Sequence, residues 1–278
     1  MLRKRTVIFS LLVFTIGCEL KSPTEIVDLS TYLLVEYRDL AKTPDILPMA
    51  DSLVTPVLYK NPPSLAQYEI AEKKEIFYSM MVPAILIAKY HTAQKKSRFE
   101  SIKDRLREEQ TLLPIDSLYL KELLSDYKCK EIQELDKKML THPVSIVLAQ
   151  AAVESGWGSS RFFLEANNIF GIWSVNKKEP RIRATFSRAG YPIYLKKYAN
   201  LAESIEDYFL TLARVRAYQE FRDMRWETDD PLEMVPYLNR YSEQGHVYTR
   251  KIASLIKNNN LTRFDRYQVD PQALVKLK

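Results

Sequence analysis

The sequence predicts a mainly α-helical protein carrying one β-hairpin, on three observations. Glycine is scarce, 6 in 278 residues, against a usual share of about 7%. Leu, Ala, Glu and Lys, which lose little freedom in a helix, are abundant. Apolar residues recur at helical spacing along most of the chain and alternate only across residues 182–195. A hydrophobic share of 46% fills a core and excludes a disordered chain. The length suits one sizeable domain with appendages, or at most two domains.

The chain opens with "MLRKRTVIFSLLVFTIGCEL": three cations, an apolar run from Val7 to Ile16, then Gly17-Cys18. That run is too short to span a bilayer and reads as the core of a signal peptide, residues 1–17. Thr15-Ile16-Gly17-Cys18 resembles a bacterial lipobox, with threonine where leucine is usual. Cleavage before Cys18 would leave it acylated and anchor the chain to a membrane. Glu19, rather than aspartate, then implies the outer membrane, facing the periplasm. The alternative is an ordinary secretory signal with an incidental cysteine. Without residues 1–17 the formal charge of +6 falls to +3, which does not argue for nucleic acid and is compatible with an acidic polymer. With Cys18 lipidated, Cys129 has no disulfide partner and reads as a structural thiol on a helix.

Residues 18–63 hold six of the fourteen prolines and no glycine; this composition predicts an extended tether. From Ser64 the pattern turns helical, with Ile76, Phe77, Met80 and Met81 on one face and a break or kink expected at Pro83. "KSRFESIKDRLREEQ", "IDSLYLKELLSDY" (capped by Asp116 or Ser117) and "KEIQELDKKML" follow as supporting helices. Thr141-His142-Pro143 carries start signals for the next helix, which should end at Gly156. The hairpin pairs "RIRATF" with "YPIYL" around "SRAG". "NLAESIEDYFLTLARV", "AYQEFRDMRW", "DPLEMVPYLNRY" and "HVYTRKIASLIKN" return to helix, leaving residues 266–278 as a tail. In "NLAE", Asn200 and Glu203 form a capping box, so Glu203 reads as structural, as does Asp207.

The chemistry concentrates in "LAQAAVESGWGSS". Glu154 stands in the last turn of an apolar helix, where the negative end of the dipole disfavours a carboxylate. Trp157, Phe162, Phe163 and Ile169 are near in sequence and would desolvate it. Both effects raise the pKa, and an acid kept protonated near neutrality is what proton donation to a glycosidic oxygen requires. A carboxylate reaching solvent or a capping amide fits the same residues equally well. His91, His142 and His246 are scattered without ligand spacing, so neither a metal nor a cofactor is expected.

The ordered string Ala149-Gln150-Ala151, Glu154-Ser155-Gly156-Trp157-Gly158, Ser160-Arg161-Phe162 and Asn167-Asn168-Ile169-Phe170-Gly171-Ile172-Trp173 closely resembles the signature of the glucosaminidase family of peptidoglycan hydrolases (glycoside hydrolase family 73), in its Bax-like branch. The resemblance resumes in "LAESIEDYFLTLARVRAYQEFRDMR" and "YLNRYSEQGHVYTRKIASLI" and covers roughly residues 64–260, within a catalytic domain drawn as 64–265. It implies a lysozyme-like helical domain with a small β-hairpin lobe beside the active-site cleft. It also implies hydrolysis of the β-1,4 bond after N-acetylglucosamine in peptidoglycan strands, with Glu154 as general acid. Rival readings are a lytic transglycosylase or muramidase on the same fold, and a non-catalytic wall-binding protein.

Glycosidases usually pair two carboxylates. Glu179, just before the hairpin, is the candidate base; an exposed loop glutamate, or assistance by the sugar's own acetamide, stands beside it. The resemblance maps Tyr241 and Tyr248 onto cleft tyrosines, Tyr241 as a catalytic candidate and Tyr248 as a substrate contact. Asn168 and Trp173 are further candidates for lining the cleft, with a core position equally open for Trp173.

Overall fold

The computed structural model describes residues 28–40, 45–49, 51–188 and 190–277. The signal peptide and Cys18 lie outside the described residues. Four short strands open the described chain: β1 (Thr31–Leu33), β2 (Glu36–Asp39), β3 (Leu53–Val54) and β4 (Val57–Lys60). β2 runs parallel to β4. The other two pair with the far end of the sequence, β3 parallel to β7 (Gln268–Val269) and β1 antiparallel to β8 (Leu274–Lys276).

The expected tether and tail are therefore parts of the folded body from residue 28 onward. Val54, Val57, Leu58 and Tyr59 are buried in the main core, and the Tyr59 hydroxyl accepts a hydrogen bond from the Leu47 amide at 2.9 Å. Proline density misleads here because prolines between strands leave the ladder intact. Pairing partners more than two hundred residues apart also leave no local mark.

The body is built on α1 (Ile70–Arg107), a single helix of 38 residues. Pro83 neither breaks nor ends it, and the next expected helix is its continuation. Residues 80–85 are fully enclosed; packing on every side outweighs the ~3 kcal/mol that an interior proline costs. The far half of α1 carries a second cluster, where Phe99 and Ile102 meet Leu120 and Leu123 of α2 (Pro114–Asp126) and Leu135 of α3 (Glu134–Lys138). Asp116 is not a cap but an ion-pair partner of Arg98 and Arg105 on α1. Cys129 lies in the turn after α2 rather than on a helix.

Across α1 lies α4 (Val144–Ser155), apolar on nearly every side and hence central. Thr141 does not cap it. The Asp265 carboxylate reaches in from the distant turn Leu261–Arg266, accepting from the Ser145 amide at 2.7 Å and from its hydroxyl at 2.8 Å. The helix ends at Gly156, left-handed at φ 59°, as expected. Trp157 and Gly158 continue with positive φ, and a Cβ on Gly158 would stand 3.3 Å from Leu65 and Phe77 side-chain atoms.

Then come α5 (Arg161–Ala166) and the predicted hairpin, β5 (Arg181–Arg188) antiparallel to β6 (Tyr191–Lys196). After it run α6 (Leu201–Arg214), α7 (Gln219–Glu227), α8 (Pro231–Met234) and α9 (His246–Asn258). The capping box is present: Asn200 Oδ1 accepts from the Glu203 amide at 3.0 Å and Glu203 Oε2 from the Ala199 amide at 2.9 Å. Asp207 ties α6 to the hairpin through Lys196 at 2.7 Å and the Tyr198 hydroxyl at 2.8 Å.

Candidate active site

α4 presents Gln150 and Glu154 one turn apart on one face, against α9. Glu154 is an exposed residue, while its Oε1 accepts a hydrogen bond from the Tyr248 hydroxyl at 2.8 Å. The Tyr248 oxygen accepts in turn from Gln150 Nε2 at 2.9 Å. Gln150 Oε1 accepts from the Tyr208 hydroxyl of α6 at 2.5 Å, and that hydroxyl lies 2.9 Å from His142 Nε2. Gln150, Tyr208, His142 and Tyr248 are all buried.

Tyr241 lies flat on Tyr248, centroids 5.6 Å apart at 15°. Tyr208 meets Tyr241 edge-on at 6.2 Å, and Tyr218 lies tilted against it at 6.0 Å. Burial among these groups pushes the Glu154 carboxyl up, and it outweighs the Tyr248 hydrogen bond and the Lys251 ammonium, both of which favour the charged form.

Trp157 packs edge-on against Phe77 and Tyr78 of α1. Phe163 meets Phe77 in the core, and Phe162 packs beneath the hairpin. Three successive positive-φ residues turn the chain sharply at the end of α4, next to Glu154. The tyrosines that crowd it come from 208 to 248.

The other candidates fall in different places. Tyr248 is 2% exposed and spends its hydroxyl on Glu154, so it holds the acid rather than offering a face to substrate. Tyr241 is half-buried behind it. Asn168 is also not a cleft contact: at 1% exposure, its amide nitrogen donates to the Ile172 and Lys196 carbonyls and its oxygen accepts from the Ile172 amide. It shapes the loop that carries Trp173. Trp173 itself is 48% exposed beside β6, bridged to Leu195, and is no core residue.

Glu179 stands on the hairpin side, half-buried, where its Oε1 accepts from the Ser174 hydroxyl at 2.7 Å and its Oε2 lies 3.9 Å from Lys196 Nζ. Ser174 and Lys196 both lie outside the Glu154 cluster. Among the described residues, no group of His, Cys, Asp or Glu is arranged to hold a metal ion.

Two concave regions lie elsewhere. One of about 440 Å³ runs between α1, α2 and α6, and one of about 580 Å³ between α3 and α7; neither is lined by Glu154.

Sequence reasoning passed over Gln150, Tyr208, Tyr218 and His142. For Gln150 a signal existed: it is an uncharged polar residue inside an apolar helix, four positions before the acid. Buried polar groups need partners, and the acid's own neighbourhood supplied one.

Residues 129–261 match the sequence profile of the glucosaminidase family, described as mannosyl-glycoprotein endo-beta-N-acetylglucosaminidase. The protein bax of Escherichia coli (strain K12) is 29% identical over 123 residues, 42% of this chain and 43% of that protein, so the match spans less than half the length of that relative. Among solved structures, the catalytic domain of the autolysin Auto from Listeria monocytogenes has a TM-score of 0.38 at 23% identity, covering 60% of this chain and 97% of that one. A truncated glycoside hydrolase domain of FlgJ from Salmonella typhimurium has a TM-score of 0.35 at 23% identity, covering 50% of this chain and 97% of that one.

Proposed function

Residues 129–261 are a glucosaminidase-family domain, and from that premise we propose that the chain hydrolyses the β-1,4 bond after N-acetylglucosamine in peptidoglycan strands. One observation carries the reading: within the family segment, the Glu154 carboxyl is pushed up by burial while the residue stays exposed. A carboxylic acid that stays protonated toward neutral pH, yet reaches solvent, can give its proton to a glycosidic oxygen as the bond breaks. Trp173, exposed on the hairpin side, offers a flat apolar face to a sugar ring.

Glu179 is the base in this reading. It sits across from the acid in chemistry as well as in lobe: a serine hydroxyl and a lysine attend it instead of tyrosine rings. If Glu179→Gln keeps its activity, the acetamide of the substrate takes that role instead.

Secretion and acylation of Cys18 would hold the domain at the outer membrane, facing the periplasm. Residue 28 follows Cys18 by ten positions, so even a fully extended chain would set it no more than ~35 Å from the anchor. The enzyme would work close to the bilayer. Processing that continues without precursor build-up under globomycin would remove the lipid anchor from the proposal.

The deciding experiment is digestion of purified peptidoglycan, followed by borohydride reduction and mass spectrometry of the new ends. Reduced N-acetylglucosamine ends, absent with Glu154→Gln, support the reading. Anhydromuramic ends would make the protein a lytic transglycosylase, and reduced muramic ends a muramidase. Binding to the wall with no new ends would make it a binding protein.

A further inference from the structure

The hydrogen bonds behind Glu154 run in one direction, from His142 toward the acid. Tyr248 owns a single hydroxyl proton and gives it to Glu154 Oε1, so its oxygen must accept from Gln150 Nε2. That turns the amide oxygen of Gln150 toward Tyr208, whose hydroxyl proton is spent on it. At the Tyr208 oxygen, His142 Nε2 is then the donor.

His142 is sealed in the core, and burial, Arg225 and Lys89 all hold its pKa well below the usual histidine range. A neutral ring protonated on Nε2 leaves Nδ1 bare. That atom is buried without a hydrogen-bond partner among the described residues. The opposite polarity would put a proton on Nδ1 with nothing to receive it, and a buried N–H without an acceptor is the costlier defect. Edge-on contacts to Tyr208, Phe209 and Phe221 surround the ring; a phenylalanine would satisfy those equally, so packing alone does not explain a histidine.

We propose that His142 is a positioning residue for the acid. As an Nε2–H tautomer it fixes the direction of the chain through Tyr208, Gln150 and Tyr248, so that Tyr248 always donates to Glu154 Oε1 and the transferable proton stays on Oε2. With the chain reversed, Tyr248 would present a lone pair to Glu154, and the acid's proton would point inward at Oε1, away from any substrate. The inference rests on the reading of Glu154 as general acid. The other titratable groups facing Glu154 are Tyr248 and Lys251 on α9, with Tyr208, Tyr218 and Tyr241 around them. Those facing His142 are Tyr208 on α6, Arg225 on α7 and Lys89 on α1.

The tautomer is measured in the full chain with ¹⁵N-labelled histidine by long-range ¹H–¹⁵N correlation, His142 being assigned by its loss in His142→Gln. A bare Nδ1 and a protonated Nε2 at every pH where the protein is folded is the expected result; an Nδ1–H tautomer or an imidazolium overturns the proposal. In glycan digestion, His142→Phe should lower kcat about tenfold, the worth of a hydrogen bond to a charged group, with KM unchanged. The alkaline limb should move up by about one pH unit, because a less well-solvated carboxylate protonates more readily. His142→Gln, which can place an amide N–H where Nε2 was, should restore most of the rate. Equal loss in both variants with an unmoved limb reduces His142 to core filling.

If the wild-type chain cleaves no glycan, the acid reading fails separately. The wild-type tautomer and the ¹³C-observed titration of Glu154 then still decide the relay, an upward shift in His142→Phe supporting it and no shift overturning it. Should His142→Phe not fold, Tyr208→Phe cuts the chain one link later and carries the same expectation.

Discussion

Two carboxylates, one at the end of α4 and one on the loop before the hairpin, receive different surroundings. Glu154 ends an apolar helix beside four tyrosines, and its strongest partner is a neutral hydroxyl. Glu179 sits on a loop with a serine hydroxyl and a lysine ammonium that also serves Asp207. Burial among the tyrosines raises the pKa of the Glu154 carboxyl. In the proposed function the two side chains have different tasks, Glu154 to give a proton and Glu179 to take one. The division comes from the elements behind each acid: α9 and α6 for Glu154, and the hairpin edge for Glu179.

The sharpest break of that contrast is Glu154→Gln, which removes the proton donor while keeping the shape. Turnover should fall by about a thousandfold, in the range of general acid catalysis, as read by new glycan ends. The same variant tests the electrostatics. Because the folded-state pKa is raised, Glu154 favours the native state below its unfolded value, and that contribution is lost as pH rises through the folded value. The melting temperature of Glu154→Gln at neutral pH should therefore be no lower than that of the wild type. A clear drop would mean the carboxylate stabilises the fold.

Glu179→Gln comes next. A loss of about a hundredfold in kcat is expected from removing a general base, and azide rescue of the lost rate would confirm the role. Unchanged turnover would assign the second task to the substrate.

Tyr248→Phe sharpens the comparison without deleting either acid. Removing the donor at Oε1 destabilises the carboxylate, so the alkaline limb of the pH–rate profile should move upward while kcat falls by about tenfold. A downward shift would mean that water entering in place of the hydroxyl solvates the carboxylate better than the hydroxyl did.

The smallest effect belongs to the hairpin side. Asn200→Ala removes the cap of α6, the helix that Asp207 ties to β6, and should cost about 1 kcal/mol in denaturant unfolding. Activity per folded molecule should stay the same, since the cap touches neither acid.

Much of this was legible in the chain. The Asn200–Glu203 box, the end of α4 at Gly156 and the alternation of the hairpin are local codes, written within a few residues of where they act. The position of Glu154 in the last turn of an apolar helix is equally local. Pro83 misled because its cost is local while the enclosure that outweighs it comes from elements distant in sequence. The folded strands before residue 61 were hidden for the same reason: β1 and β3 find their partners only at residues 268–276.

The sequence by itself determined a helical protein with a lone acid at a glycine-ended helix and one hairpin beyond it. Helix ends, caps and turns are set by neighbouring residues, so their signals survive in one dimension. Only the tertiary structure decided what surrounds the acid. The left-handed run at 156–158 turns the chain sharply at the end of α4, and α9 brings Tyr248 to Glu154 across 94 positions of sequence. Desolvation and hydrogen bonding depend on distance in space, and no spacing in the chain encodes it.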